Sequence, residues 1–139
     1  MTERSGYRGY IASRPIMGER TPQHVQNLVV RDYARRKGLS FLLSATEYAM
    51  TDCFMVLEQV LRELPQIEGI IGYSLFMLPE RATARRAIWT RVLDGGARLH
   101  FALEGLAVAD EAGIRRIEDI WLVRGILPSC PAGLQGIAS

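Results

Sequence analysis

Ionisable and hydroxyl side chains in this chain recur just after short apolar runs. Ser13 and Arg14 follow Tyr7–Ala12, and Ser44, Glu47 and Tyr48 follow Leu39–Leu43. Tyr73 and Ser74 close the run Ile67–Ser74, and Glu104 follows Arg98–Leu103. A guanidinium beside a hydroxyl suits one planar anion, a phosphate or a carboxylate. Ser13 either caps its turn or donates to the anion that Arg14 would hold. Glu47 is a lone carboxylate in the small, apolar stretch Ser44–Met50. It either pairs with an arginine or acts as a base or as an acceptor for a hydroxyl. Glu104 has the same two readings. Gln23, His24, Gln26 and Asn27 lie on the first turns of the next helix. His24 is there either a surface histidine or an acid/base group near a ligand. Tyr48 and Tyr73 are core aromatics with a polar tip, or they line a pocket.

Polar groups at the ends of several strands need a frame that gathers those ends. Strands are predicted at Tyr7–Ala12, Leu39–Leu43, Ile67–Ser74 and Arg98–Leu103. Thr21-Pro22 opens a helix as N-cap and first helical residue, and Gly38 closes it. Val25, Leu28, Val29 and Tyr33 supply its apolar face. Thr51-Asp52 caps a second helix with Phe54, Leu57, Val60, Leu61 and Leu64 at helical spacing, stopped by Pro65. A third helix runs from about Pro79 to Asp94, with Ala84, Ala87, Ile88 and Val92 inward. Most of Arg81, Arg85, Arg86 and Arg91 then form a solvated face. A fourth runs over Ala109–Arg124, with Ile114, Ile117, Ile120 and Trp121 at helical spacing. The alternation β-α-β-α-β-α-β-α calls for a parallel sheet with helices on both faces. By analogy with flavodoxin-like domains, strand order 2-1-3-4 is expected. Ligands then bind beyond the carboxyl ends of the strands, where strand order reverses. Ser13, Arg14 and Ser74 flank that point.

With 139 residues, the chain suits one domain and is too short for two. A single α/β domain over residues 1–125 is expected, with residues 126–139 as a loose tail. Of 17 basic residues only Lys37 is a lysine, and the net charge is +2. That balance argues against a nucleic-acid partner. The polar N-terminus has no apolar core of a signal peptide, and the longest apolar stretches are about half a membrane span. Cys53 and Cys130 have no metal spacing. A cytoplasmic protein with no metal, cofactor or membrane partner is expected. No Gly-rich dinucleotide fingerprint, P-loop or Gly-x-Ser-x-Gly elbow is present.

Gly9-Tyr10-Ile11, Gln26, Tyr33-Ala34 and Ile70–Leu78 followed by a helix trace an outline over about residues 7–108. That outline resembles the catalytic domain of serine recombinases, the resolvase-like fold. The resemblance implies a small flavodoxin-like or resolvase-like three-layer sandwich with a four-stranded parallel sheet. The recombinase Arg-x-Ser pattern does not align: the stretch reads Ala12-Ser13-Arg14, with the serine out of register. Longer strings cover residues 6–16, 22–27, 42–50 and 73–79, among them Leu-Leu-Ser-Ala-Thr-Glu-Tyr-Ala-Met. They are similar to the sporadic carbohydrate cluster protein family, encoded in bacterial carbohydrate-biosynthesis clusters.

That second resemblance implies a role in making or modifying a sugar. The expectation is an enzyme acting by proton transfer (an isomerase, epimerase or lyase) on an activated or phosphorylated sugar. Glu47 and His24 would move protons. Ser13, Arg14, Gln23, Asn27, Tyr48, Tyr73, Ser74 and Glu104 would bind the sugar or sugar-phosphate ligand. The alternative is a non-catalytic subunit or scaffold for another enzyme of the same cluster, or a homo-oligomer. A third reading, a DNA-associated recombinase relative, is opposed by the near-neutral charge and by the serine out of register.

Overall fold

A computed structural model describes residues 4–16, 18–50 and 53–126 of the chain. The capping pair Thr51-Asp52 and the expected tail beyond residue 126 lie outside the described residues. The elements run β1 (Tyr7–Ala12), α1 (Gln23–Lys37), β2 (Phe41–Glu47), α2 (Met55–Arg62), β3 (Gly69–Gly72), α3 (Ala82–Asp94), β4 (Arg98–Phe101), β5 (Leu106–Val108) and α4 (Glu111–Ile126). Short 3-10 turns cover Leu64–Gln66 and Leu75–Met77.

The sheet order is β2-β1-β3-β4-β5. The first four strands are parallel and stand in the expected order. The expected four strands become five, because β5 pairs antiparallel with β4 through a tight hairpin. Gly105 turns that hairpin at φ +68°, a left-handed conformation that favours glycine.

Alternation along β1 sends side chains to two layers. Tyr7 turns toward α1, where its ring and that of Tyr33 both meet His100 edge-on. Tyr10 turns the other way, to Glu47 and the start of α2. Arg91 to Glu58 ties α3 to α2, and Arg85 to Glu118 ties α3 to α4. Ile70, Ile71, Leu75, Leu99 and Val108 fill the centre of the core. Their removal from water supplies the main drive for folding.

Several local expectations need correction: β2 runs over Phe41–Glu47, not Leu39–Leu43, and Ala87 of α3 is exposed, not inward. The inward face of α1 is Gln26, Val30, Tyr33 and Ala34, and Leu28 is exposed. Pro22, not Thr21, flanks the first helical residue, Gln23. Arg85 does not join a solvated face: it is buried, bonded to Glu118 and to the carbonyls of Pro79 and Glu80, and stacked on Trp121 at 4.4 Å. A guanidinium carries a flat apolar face as well as donors, so it can be enclosed once every edge has an acceptor.

Candidate functional site

The carboxyl ends of β1, β2, β3 and β4 carry Ser13, Arg14, Glu47, Ser74 and Glu104, as the topology requires. Glu47 is the last residue of β2 and is 0 % exposed. Its Oε1 accepts from the Tyr10 hydroxyl at 2.7 Å and the Leu57 N–H at 3.0 Å. Its Oε2 accepts from the N–H groups of Val56 at 3.0 Å and Tyr48 at 3.3 Å. Val56 and Leu57 belong to the first turn of α2, whose N–H groups have no partner within the helix. Glu47 therefore caps α2 from the end of the preceding strand. Burial, then the bond to Glu47, raises the Tyr10 phenol far above its ordinary range and keeps it a donor.

Ser13 is half-buried and its hydroxyl donates to the Glu47 carbonyl at 2.8 Å. Arg14 donates to the carbonyls of Cys53 at 2.8 Å and Met77 at 3.1 Å. Its guanidinium lies 4.6 Å above the Phe54 ring. One side chain thus fastens the loops after β2 and β3 to the end of β1. Gln26 supports that end from below. Its side chain accepts from the Ala12 N–H and donates to the carbonyls of Ala12 and Thr21. Gln26 was expected on the first turns of its helix, but nothing in its spacing marked it as buried.

Ser74 donates to Glu104 Oε2 at 2.7 Å, and the Leu75 N–H donates to Glu104 Oε1 at 3.0 Å. The Ser74 hydroxyl also accepts from the Phe76 N–H. Glu104 is thus tied to the turn that follows β3.

The side chains of the other expected residues stand apart from this network. Gln23 and His24 are exposed on the first turn of α1, and Tyr48 is exposed beside the end of β2. Asn27 accepts from Ser44 on the α1 side of the sheet. Tyr73 is buried, with its N–H bonded to the Tyr10 carbonyl. Among the described residues, no cluster of His, Cys, Asp and Glu could hold a metal ion, and no helix is long and apolar enough to cross a membrane.

A second polar group lies on β4, on the face of the sheet that α1 covers. His100 is 8 % exposed, and its Nδ1 lies 2.7 Å from the Tyr33 hydroxyl. Its Nε2 is buried without a partner among the described residues. Burial, with Arg98 and Lys37 nearby, lowers its pKa to about 4. The ring is therefore neutral at pH 7.

No family model and no curated protein sequence matches the chain. Solved structures do. A resolvase family site-specific recombinase from Streptococcus pneumoniae aligns with a TM-score of 0.63 and 10 % identity, over 96 % of this chain and 99 % of that one. The N-terminal catalytic domain of TP901-1 integrase aligns with a TM-score of 0.58 and 12 % identity, over 89 % and 98 %. At these identities the likeness shows the fold, which is the resolvase-like α/β fold. It overturns the sugar reading: both neighbours are recombinase or integrase domains, and neither is a sugar-modifying enzyme. The proton-moving roles of Glu47 and His24 and the sugar ligand lose their basis with it. The cluster scaffold falls for the same reason, as does the expectation of no nucleic-acid partner.

Proposed function

We propose that this chain is a DNA-binding domain of the resolvase-like fold that does not cut the strand. The likeness to recombinase and integrase catalytic domains over nearly the whole of both chains supports this reading most. Two local features favour binding over cleavage. The Ser13 hydroxyl is a donor to a backbone carbonyl, and Arg14 is spent on two carbonyls and an aromatic ring. Cleavage by a serine needs a free hydroxyl and cations beside the phosphate.

Fluorescence anisotropy with a labelled duplex tests the reading. The expected result is binding at about 50 mM salt that weakens steeply by about 200 mM, with no covalent adduct on a denaturing gel. Absence of binding at the lower salt overturns it. A second reading rests on the half-exposed Ser13 hydroxyl at the end of β1. Attack on a phosphodiester would form a Ser13–phosphate ester and release the other oxygen as a hydroxyl. An adduct that Ser13→Ala abolishes would establish that reading instead.

Three further points belong to the proposal. The elements from Tyr7 to Ile126 form a single domain. The protein works in the cytoplasm. Its strings shared with the sporadic carbohydrate cluster proteins mark common descent, with no sugar reaction attached.

A further inference from the structure

We propose that the outer face of α2 holds one unstacked nucleotide, its base on Phe54 and Met55, its base edge at Gln59 and its phosphate at Arg62. The inference rests on the DNA reading above and names the part of the ligand that this face takes. An open groove of about 360 Å³ is lined by Phe54, Met55, Glu58, Gln59 and Arg62. Met55, Glu58, Gln59 and Arg62 recur at helical spacing, so they form one stripe along the helix. Phe54 stands at the head of that stripe, flanking the first helical residue. The guanidinium of Arg14, from the end of β1, lies 4.6 Å from the centre of the Phe54 ring and steadies it. The groove therefore adjoins the strand ends, where an open α/β sheet takes its ligands.

Three chemistries stand in order along this face. Phe54 and the exposed Met55 offer a ring and a thioether chain, the side chains that proteins set against unstacked bases. Gln59 is exposed, and its amide pairs a donor with an acceptor, the complement of an adenine edge. Glu58 would repel a phosphate, but its charge is already met: Arg91 of α3 lies 2.5 Å from it and Arg62 3.6 Å. The longer contact makes Arg62, whose side chain is 72 % exposed, the cation that can turn to an anion. Glu47 takes the N–H groups of Val56 and Leu57, so the head of α2 offers no place to a phosphate. The apolar base fits there, and the anion belongs at Arg62, two turns farther on. An apolar peptide segment would cover Phe54 and Met55 and leave the amide and the cation unused. A nucleotide brings a ring face, a polar edge and an anion together.

Fluorescence anisotropy at about 50 mM salt, comparing a fully paired duplex with the same duplex opened at a central bubble of about three nucleotides, tests the proposal. The wild type is expected to bind the bubble roughly tenfold more tightly, because its bases are already unstacked. Met55→Ala with Gln59→Ala is expected to bind the paired duplex as before and to lose the preference. Its circular dichroism spectrum should be unchanged, since both side chains are exposed. Arg62→Ala is expected to weaken the bubble complex more than the paired one. Added 2′-deoxyadenosine 5′-monophosphate, up to about 5 mM, is expected to leave the bubble bound, because a free nucleotide lacks the tether of the strand. Displacement by that nucleotide in the wild type would assign the site to a free nucleotide and overturn the DNA source. Equal binding of the two duplexes overturns the inference and leaves the proposed function standing, as does a preference that survives in the double variant. Binding of neither duplex removes the proposed function, and this inference with it.

Discussion

The carboxyl ends of the strands and the outer edge of β2 differ in what their atoms have left to offer. The strand ends hold the ionisable groups, yet those groups are largely committed to the protein itself. Glu47 accepts four hydrogen bonds, three of them from backbone N–H groups, and Arg14 binds two carbonyls. The β2 edge has leucine, serine and threonine, ordinary side chains on an unpaired backbone. Residue type marks where chemistry could happen, but unspent hydrogen-bonding and apolar surface marks where a partner can bind.

If the strand ends are structural, removing their polar groups must cost stability. The largest loss is expected for Glu47→Ala, which strands three backbone donors and the Tyr10 hydroxyl in the interior. A buried, multiply bonded carboxylate of this kind is worth about 3–5 kcal/mol. Thermal unfolding should fall by roughly 10 °C or more.

The next effect sharpens the contrast with a buried polar group that is incompletely bonded. His100 has a folded pKa of about 4, below its unfolded value near 6.5. Between those values the unfolded chain binds more protons, so stability rises with pH. The contribution is complete above about pH 6.5 and is lost as pH falls toward 4. The expected loss is on the order of 3 kcal/mol, read by urea unfolding across that window. His100→Gln should flatten the slope.

Arg14→Ala should cost about 2 kcal/mol, since it frees two carbonyls and a stacked ring at a half-exposed position. Arg14→Lys should recover little of it, because one ammonium cannot span both carbonyls. The smallest effect belongs to the β2 edge. Leu43→Lys should change the stability of the isolated chain by less than about 0.5 kcal/mol, measured by urea unfolding at low concentration.

Much of this arrangement is legible in the residues themselves. β1 lies at its expected bounds, and the order of the first four strands is the one expected by analogy with flavodoxin-like domains. The positions of Arg14, Glu47, Ser74 and Glu104 at strand ends are likewise readable. Their bonding is not. The N–H groups that Glu47 accepts belong to residues nine and ten positions on, and backbone donors leave no mark in a sequence. Arg85 reads as one of a series of surface arginines, because its partners Glu118 and Trp121 arrive from α4. Gln26 defeats the apolar periodicity of α1 for a similar reason: its amide replaces a neighbouring strand for Ala12. β5, three residues long, carries too short a pattern to separate from a turn. For Arg85 and Gln26 the missing information is a contact with residues far along the chain.

Amide hydrogen exchange at Val56 and Leu57 tests most directly whether Glu47 is a structural cap. Both amides stand in the first turn of α2, where no intrahelical acceptor protects them. A structural cap predicts exchange nearly as slow as that of the core strands in the wild type, with protection of both lost in Glu47→Ala under conditions where the β3 amides remain protected. Rapid exchange of both amides in the wild type would contradict it, and would return Glu47 to the groups free to meet a ligand.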